Sequence, residues 1–98
     1  MKVITICGSL KFENDINYWA ERLTLEGNCI LSIIYPINTD LSVYTSEQRK
    51  IFAEAHLKRI DLSDALFVVN KNGYIGGSTQ KEIEYAKARG KEVIFLEN

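Results

Sequence analysis

The stretch Gly76 to Ala86, GGSTQKEIEYA, sets one carboxylate, Glu82, shortly after two glycines and two hydroxyl residues, at what reads as the start of a helix. Two uses of that carboxylate fit the local pattern. Glu82 follows Thr79 by three residues, so TQKE satisfies a capping box in which Ser78 or Thr79 opens the helix and Glu82 reaches back from its first turn. Alternatively, Glu82 faces a cleft, and the nearby helix N-terminus is expected to hold it ionised, as a nucleophile attacking a sugar carbon must be. The preceding glycine-rich loop, Asn70 to Gly77, feeds the same helix end, whose free amides favour an anion. That loop lacks the lysine of a Walker loop, and no G-x-G-x-x-G follows the first strand, so triphosphate and dinucleotide readings lose their main support.

Other residues that could serve the same site are scattered along the chain. Gly8 and Ser9 stop an apolar strand with a tight turn that offers amides and a hydroxyl to sugar or phosphate oxygens. Just beyond them, Lys11 could meet a phosphate and Phe12 could stack on a base. Tyr74, in the glycine-rich loop, reads as a lid or hydrogen-bonding residue. Asp61 and Asp64, in RIDLSDALFVV, fall at the end of the second helix and just before the third strand. A helix antiparallel to the strands ends at the edge opposite the site, which argues against a catalytic role for either. Cys7 and Cys29 sit in apolar runs with no zinc spacing, and His56 is the only histidine, so neither a metal site nor a Cys/His pair is expected.

The elements that must position these residues follow from hydropathy. KVITIC, NCILSIIY, ALFVV and EVIFL read as four buried strands. Between them, Ile16, Trp19, Ala20 and Leu23 give a helix from Glu13 to Glu26 its buried stripe, ended by Gly27. Thr45 and Gln48 make a capping box for a second helix reaching Ile60 or Leu62, and the third begins at Ser78 or Thr79 and stops at Gly90. The segment Ile37 to Tyr44 has no clear period and reads as a loop over a site or a weakly formed element. Alternating strands and helices predict a single domain over residues 1–98: a three-layer α/β sandwich with a four-stranded parallel sheet, flavodoxin-like or Rossmann-like. Ligands of such sheets bind beyond the carboxyl ends of the strands.

Composition narrows the partner. Twelve basic and thirteen acidic side chains leave a net charge of −1, with no field suited to a nucleic acid polymer or an anionic membrane. The apolar runs are far shorter than the roughly 20 residues of a membrane span, and no signal-peptide layout is seen, so a cytoplasmic protein with a small-molecule partner is expected.

Together, CGSLKF after the first strand, DLSDALFVV, and GYIGGSTQKEIEYAKARGKEVIFL resemble the nucleoside 2-deoxyribosyltransferase family and the related 2'-deoxynucleoside 5'-monophosphate N-glycosidases. The resemblance covers most of the chain. It implies that Glu82, in a pattern like G-[ST]-x-x-E-[IL]-x-x-A, is the nucleophile that attacks the anomeric carbon of a nucleoside or nucleotide, and that no cofactor is needed. It further implies that Gly8, Ser9 and Lys11 help hold the deoxyribose or its phosphate, and it matches the family's aspartate before strand three to Asp61 or Asp64. Phe12, Tyr74, Gly76, Gly77, Ser78 and Thr79 complete the expected substrate-binding set. Gly76 and Gly77 stand where the transferases carry an aspartate before a glycine-threonine pair. The chain closes on the fourth strand, so a fifth strand and tail are expected to be absent, and a homo-oligomer could supply neighbouring side chains. Two alternatives stay open: a binding module without turnover, and a lysine-decarboxylase-like phosphoribohydrolase, whose P-G-G-x-G-T-x-x-E motif GGSTQKE echoes.

Overall fold

Alternation along two central strands decides which side of the sheet each helix covers. A computed structural model describes all residues from Met1 to Asn98, with strands β1 (Val3–Gly8), β2 (Cys29–Ser32), β3 (Ala65–Val69) and β4 (Glu92–Phe95), and helices α1 (Glu13–Leu25), α2 (Ser46–Asp61) and α3 (Gly77–Ala88). All neighbouring strands pair in parallel, in the order β2-β1-β3-β4. Ile4 and Ile6 of β1 project to one face with Ala65, Phe67 and Val69 of β3, where Ile16 and Leu23 of α1 meet them. Cys7, Leu66 and Val68 project to the other, against Ile60 of α2 and Ile83 and Ala86 of α3. The period-two pleat thus makes two cores and the expected three-layer sandwich, each fully buried Ile or Leu contributing roughly 1.5–3 kcal/mol.

The order places the site. From β1 the chain crosses to β2 on one side and returns past β1 to β3 on the other, so the topological switch lies between the carboxyl ends of β1 and β3. Those ends are drawn together at Gly8 and Val69, which pair in register. A Cβ on Gly8 would stand 2.9 Å from the Val69 carbonyl oxygen, so only glycine lets the two backbones approach this closely.

Three local outcomes differ from the sequence reading. The second strand is shorter than NCILSIIY: pairing stops at Ser32, and Ile33, Ile34 and Pro36 leave the sheet and turn toward the site. The third helix begins earlier than Ser78 or Thr79, with Gly76 as its N-cap and no side-chain cap. Finally, the segment before α2 contains a short 3-10 turn, Leu41–Val43, in which Asp40 accepts from the Ser42 amide. The Thr45–Gln48 capping box forms as the spacing predicts.

α2 is packed only along its last turns. Every residue from Ser46 to Ala55 is exposed, whereas His56 and Ile60, four apart, are buried. The hydroxyls of Thr5 and Ser63 both meet the Arg59 carbonyl, at 3.0 and 2.8 Å, pinning the end of α2 to β1. No helix is long and apolar enough to cross a membrane.

Candidate active site

A cavity of about 480 Å³ opens at the carboxyl edge, a size suited to a small organic ligand. Its floor is Gly8, Ser9 and Leu10 beyond β1 and Gly76, Gly77 and Ser78 at the start of α3. One wall is the departing chain after β2 with Leu41 and Tyr44. The other wall is α2, through Arg49, Phe52, Ala53, Ala55, His56 and Arg59. The unpatterned segment Ile37 to Tyr44 borders this cavity through Leu41 and Tyr44 and also holds the short 3-10 turn, so both of its sequence readings apply.

Glu82 is the only carboxyl group on this lining. It is the sixth residue of α3, in the second turn, where a side chain cannot reach back to cap the N-terminus. The capping-box reading of TQKE is thereby corrected. Its error has a physical origin: Thr79 is buried at 3% exposure, on the α3 stripe with Ile83 and Ala86, and the flexible Gly76–Gly77 pair allows the helix to start ahead of it. Glu82 lies beside that stripe, four residues after Ser78 on the same helix face, and both line the cavity.

The expectation that the helix end holds Glu82 ionised is also corrected. Its side chain is only 13% exposed, and burial pushes its pKa from 4.5 up to about 7, with the Cys7 thiol drawing it part of the way back. The interaction is mutual. Burial first, then the Glu82 carboxylate, raise the Cys7 thiol well above its ordinary value, so Cys7 is a neutral thiol in the core beneath the site.

On the opposite side stands His56, whose Nε2 lies 3.8 Å from Glu82 Oε1. The ring is 2% exposed and Nε2 has no hydrogen-bond partner. Burial, then the Arg59 guanidinium, lower its pKa from 6.5 to about 4, so it is neutral across the physiological range. In the sequence, His56 stands out only as a conceivable metal ligand or partner to cysteine. The signal that marks its inward position is its place four residues before Ile60 on the buried stripe of α2. Arg49, Arg59, Tyr44 and Phe52 were likewise not among the expected site residues, because nothing local shows that a mostly exposed helix walls a cavity.

Of the expected substrate-binding set, Gly8, Ser9, Gly76, Gly77 and Ser78 join Glu82 on the cavity. Lys11, Phe12 and Tyr74 make a cluster outside its lining instead. The Lys11 ammonium sits 3.4 Å from the centre of the Tyr74 ring, and Phe12 meets that ring edge-on at 5.9 Å. This cluster buttresses the approach to α3, since the Tyr74 hydroxyl lies 3.6 Å from where a Gly76 Cβ would be. Thr79 turns into the core. Asp61 and Asp64 lie at the amino edge of the sheet: Asp61 accepts from the Tyr85 hydroxyl at 2.9 Å and pairs with Arg89, while Asp64 accepts from the Val3 amide. Neither reaches the cavity.

Chemically, the site offers one carboxyl group able to change protonation near neutrality, a neutral histidine, two arginines, and a floor of backbone amides. The glycine floor lets a ligand approach the main chain closely. No protein-family model matches the chain, and comparison with curated proteins gives no significant match.

Proposed function

We propose that this protein cleaves or transfers at the N-glycosidic bond of a 2'-deoxynucleoside or its 5'-monophosphate through a covalent glycosyl-Glu82 intermediate. The observation that carries the reading is that Glu82 is buried on the wall of the switch-point cavity and takes no part in capping its helix. The resemblance of GGSTQKEIEYA to the deoxyribosyltransferase pattern supplies the reaction class.

In this scheme the ionised Glu82 carboxylate attacks C1' of the deoxyribose. The C1'–N bond breaks, its electron pair leaves with the base, and the base takes up a proton from solvent, which the incoming water or second base returns to solvent when it attacks. Water, or a second base, then attacks C1' from the vacated face and releases Glu82, so configuration is retained overall. No second carboxylic acid is present on the lining to protonate the departing base, which separates this site from the usual two-carboxylate arrangement. The amides and hydroxyls of Gly8–Ser9 and Gly77–Ser78 are suited to sugar or phosphate oxygens, and the apolar wall of Ile33, Ile34 and Leu41 to a base. Ionisation of Glu82 is favoured as positive charge develops on the sugar ring.

We propose further that the protein works in the cytoplasm as a homo-oligomer. The first half of α2 presents exposed Ile51 and Phe52 beside exposed Leu41 and Val43, an apolar surface that a second copy would cover while closing the cavity mouth.

The test is incubation of purified protein with a panel of deoxynucleosides, their 5'-monophosphates and the matching ribonucleotides, with and without a second free base, followed by chromatography. Base release or exchange that disappears in Glu82→Ala supports the reading and separates hydrolase from transferase. Ribonucleotide preference would transfer the assignment to a phosphoribohydrolase. Ligand binding without turnover, surviving Glu82→Ala, would leave a binding module.

A further inference from the structure

The wall of the cavity contains a buried side chain that the proposed reaction does not yet use. We propose that His56 is a positioning residue for Glu82, its imidazole held by Arg59 in the tautomer that presents the Nε2 proton to Oε1 of the ionised carboxylate. The functional consequence rests on the reading of Glu82 as the reacting group, whereas the contact itself can be tested without any activity.

The tautomer follows from the donors. Arg59 Nη1 lies 3.4 Å from His56 Nδ1, and because a guanidinium can only donate, a hydrogen bond there requires the lone pair on Nδ1. A neutral ring then keeps its proton on Nε2. That atom is buried and unpartnered, and it faces Glu82 Oε1 at 3.8 Å. The other titratable and charged groups at the pair are Cys7 from β1 and Arg59 on the same helix as His56, with Arg49 also on the cavity wall.

An unpartnered N–H in a core costs stability that an apolar side chain on the His56–Ile60 stripe would avoid. Its retention makes sense if the proton has an acceptor when Glu82 is charged. The present separation exceeds the roughly 2.9 Å of an N–H···O hydrogen bond, and contacts of this kind tighten when substrate fills a site and expels water. Because Nδ1 is committed to Arg59, Nε2 cannot accept from a protonated Glu82. The carbonyl oxygen of a protonated Glu82 could accept from Nε2, but the charge-assisted bond to the carboxylate is the stronger, so the contact favours the ionised form that the displacement needs and holds it against rotation.

The pinning of α2 fixes the geometry. Thr5 and Ser63 grip the Arg59 carbonyl, one turn beyond His56, so the backbone that carries both the ring and its tautomer-setting arginine is tied to β1.

The experiment uses isotopically labelled full-length protein. Nitrogen chemical shifts of the single histidine report its tautomer, and the carboxyl carbon shift of Glu82 is followed through pH in the unaltered protein, in His56→Leu and in His56→Gln. We expect the Nε2–H tautomer. We also expect the Glu82 midpoint to rise in His56→Leu, by about three-fold or more in the ionisation equilibrium, and to return toward its original value in His56→Gln, whose amide N–H can reach the same oxygen. An Nδ1–H tautomer, or a Glu82 midpoint that does not move in His56→Leu, would overturn the proposal. Should His56→Leu fail to fold, the tautomer in the unaltered protein and the midpoint in His56→Gln decide it. Where base release is measurable, His56→Leu should lower kcat more than it changes KM. Absence of base release in the unaltered protein would count against the glycosidic reading and leave the titration result intact.

Discussion

His56 on α2 and Glu82 on α3 are buried against each other at 3.8 Å, and each is driven by burial toward its neutral form. Their effects on stability run in opposite directions with pH. Glu82 titrates at about 7 when folded and 4.5 when not, so the folded chain binds the extra proton, and its contribution is present below pH 4.5 and lost as pH rises through 7. His56 titrates at about 4 folded and 6.5 unfolded; its contribution is present above pH 6.5 and lost as pH falls through 4. Each amounts to about 3 kcal/mol at full extent, and between roughly pH 4.5 and 6.5 they offset one another.

Glu82→Gln should expose this balance. Removing the buried ionisable group is expected to raise stability by roughly 2–3 kcal/mol at pH 8 and to change little at pH 4, while the remaining His56 makes the variant lose stability as pH falls below 6.5. Thermal melts followed by circular dichroism from pH 4 to 8 measure both arms. A variant with the same pH dependence as the unaltered protein would show that Glu82 carries no burial penalty. A helix-capping glutamate would give no such gain, so the experiment also separates the two uses of this residue.

The catalytic pH profile should follow the same group with the opposite benefit. If ionised Glu82 is the nucleophile, kcat/KM for base release rises about ten-fold per pH unit below its midpoint and levels off above about pH 7. The position of the bend is the quantity to measure, with saturating and limiting substrate compared. A rate that falls as pH rises through 7 would assign Glu82 as a proton donor instead.

Local pattern carried some of this architecture to the residue and missed other parts for definable reasons. Ala65 to Val69 is apolar at every position because β3 is covered on both faces, and its limits follow from that. The Thr45–Gln48 box is realised because nothing but local hydrogen bonds acts on the exposed start of α2. The same rule failed at Thr79, where packing against the sheet outweighs a cap, and only the three-dimensional fold reveals which force wins. NCILSIIY kept the hydropathy of a strand to its end although its last residues serve a cavity wall, since a cavity wall and a sheet face are equally apolar. His56 was hidden for a related reason: its partner is 26 residues away on another helix, and no spacing within α2 encodes that contact.

Gly8→Ala tests the close approach on which the floor of the cavity depends. The added Cβ would meet the Val69 carbonyl oxygen at 2.9 Å and Ile16 Cδ1 at 3.3 Å, and the carbonyl belongs to a central strand that cannot retreat without loosening its pairing. A loss of about 1–3 kcal/mol is expected from overpacking, read by urea denaturation at neutral pH. Gly77→Ala is the control, since its Cβ meets nothing within 4 Å and its change should stay within about 1 kcal/mol. Equal effects at the two positions would mean that Gly8 is not sterically required.

Phe52→Glu tests whether the exposed half of α2 is an interface. Phe52 is 37% exposed and Ile51 56%, on a helix whose first ten residues are all exposed, and the Tyr44 ring meets Phe52 edge-on at 5.5 Å. In a homo-oligomer a glutamate at this position would be buried without a partner, costing several kcal/mol and shifting the assembly to monomer. In a monomer the same change would lie at the edge of the cavity and cost about 0.5–1.5 kcal/mol through loss of the Tyr44 contact, without any change of mass in solution. Light scattering coupled to size exclusion, run on the unaltered protein and on Phe52→Glu over a range of concentrations, distinguishes these outcomes. Dissociation of an oligomer by the variant, together with weaker ligand binding, would tie assembly to closure of the cavity mouth; a protein that is monomeric at every concentration would refute the interface and leave α2 as an open wall.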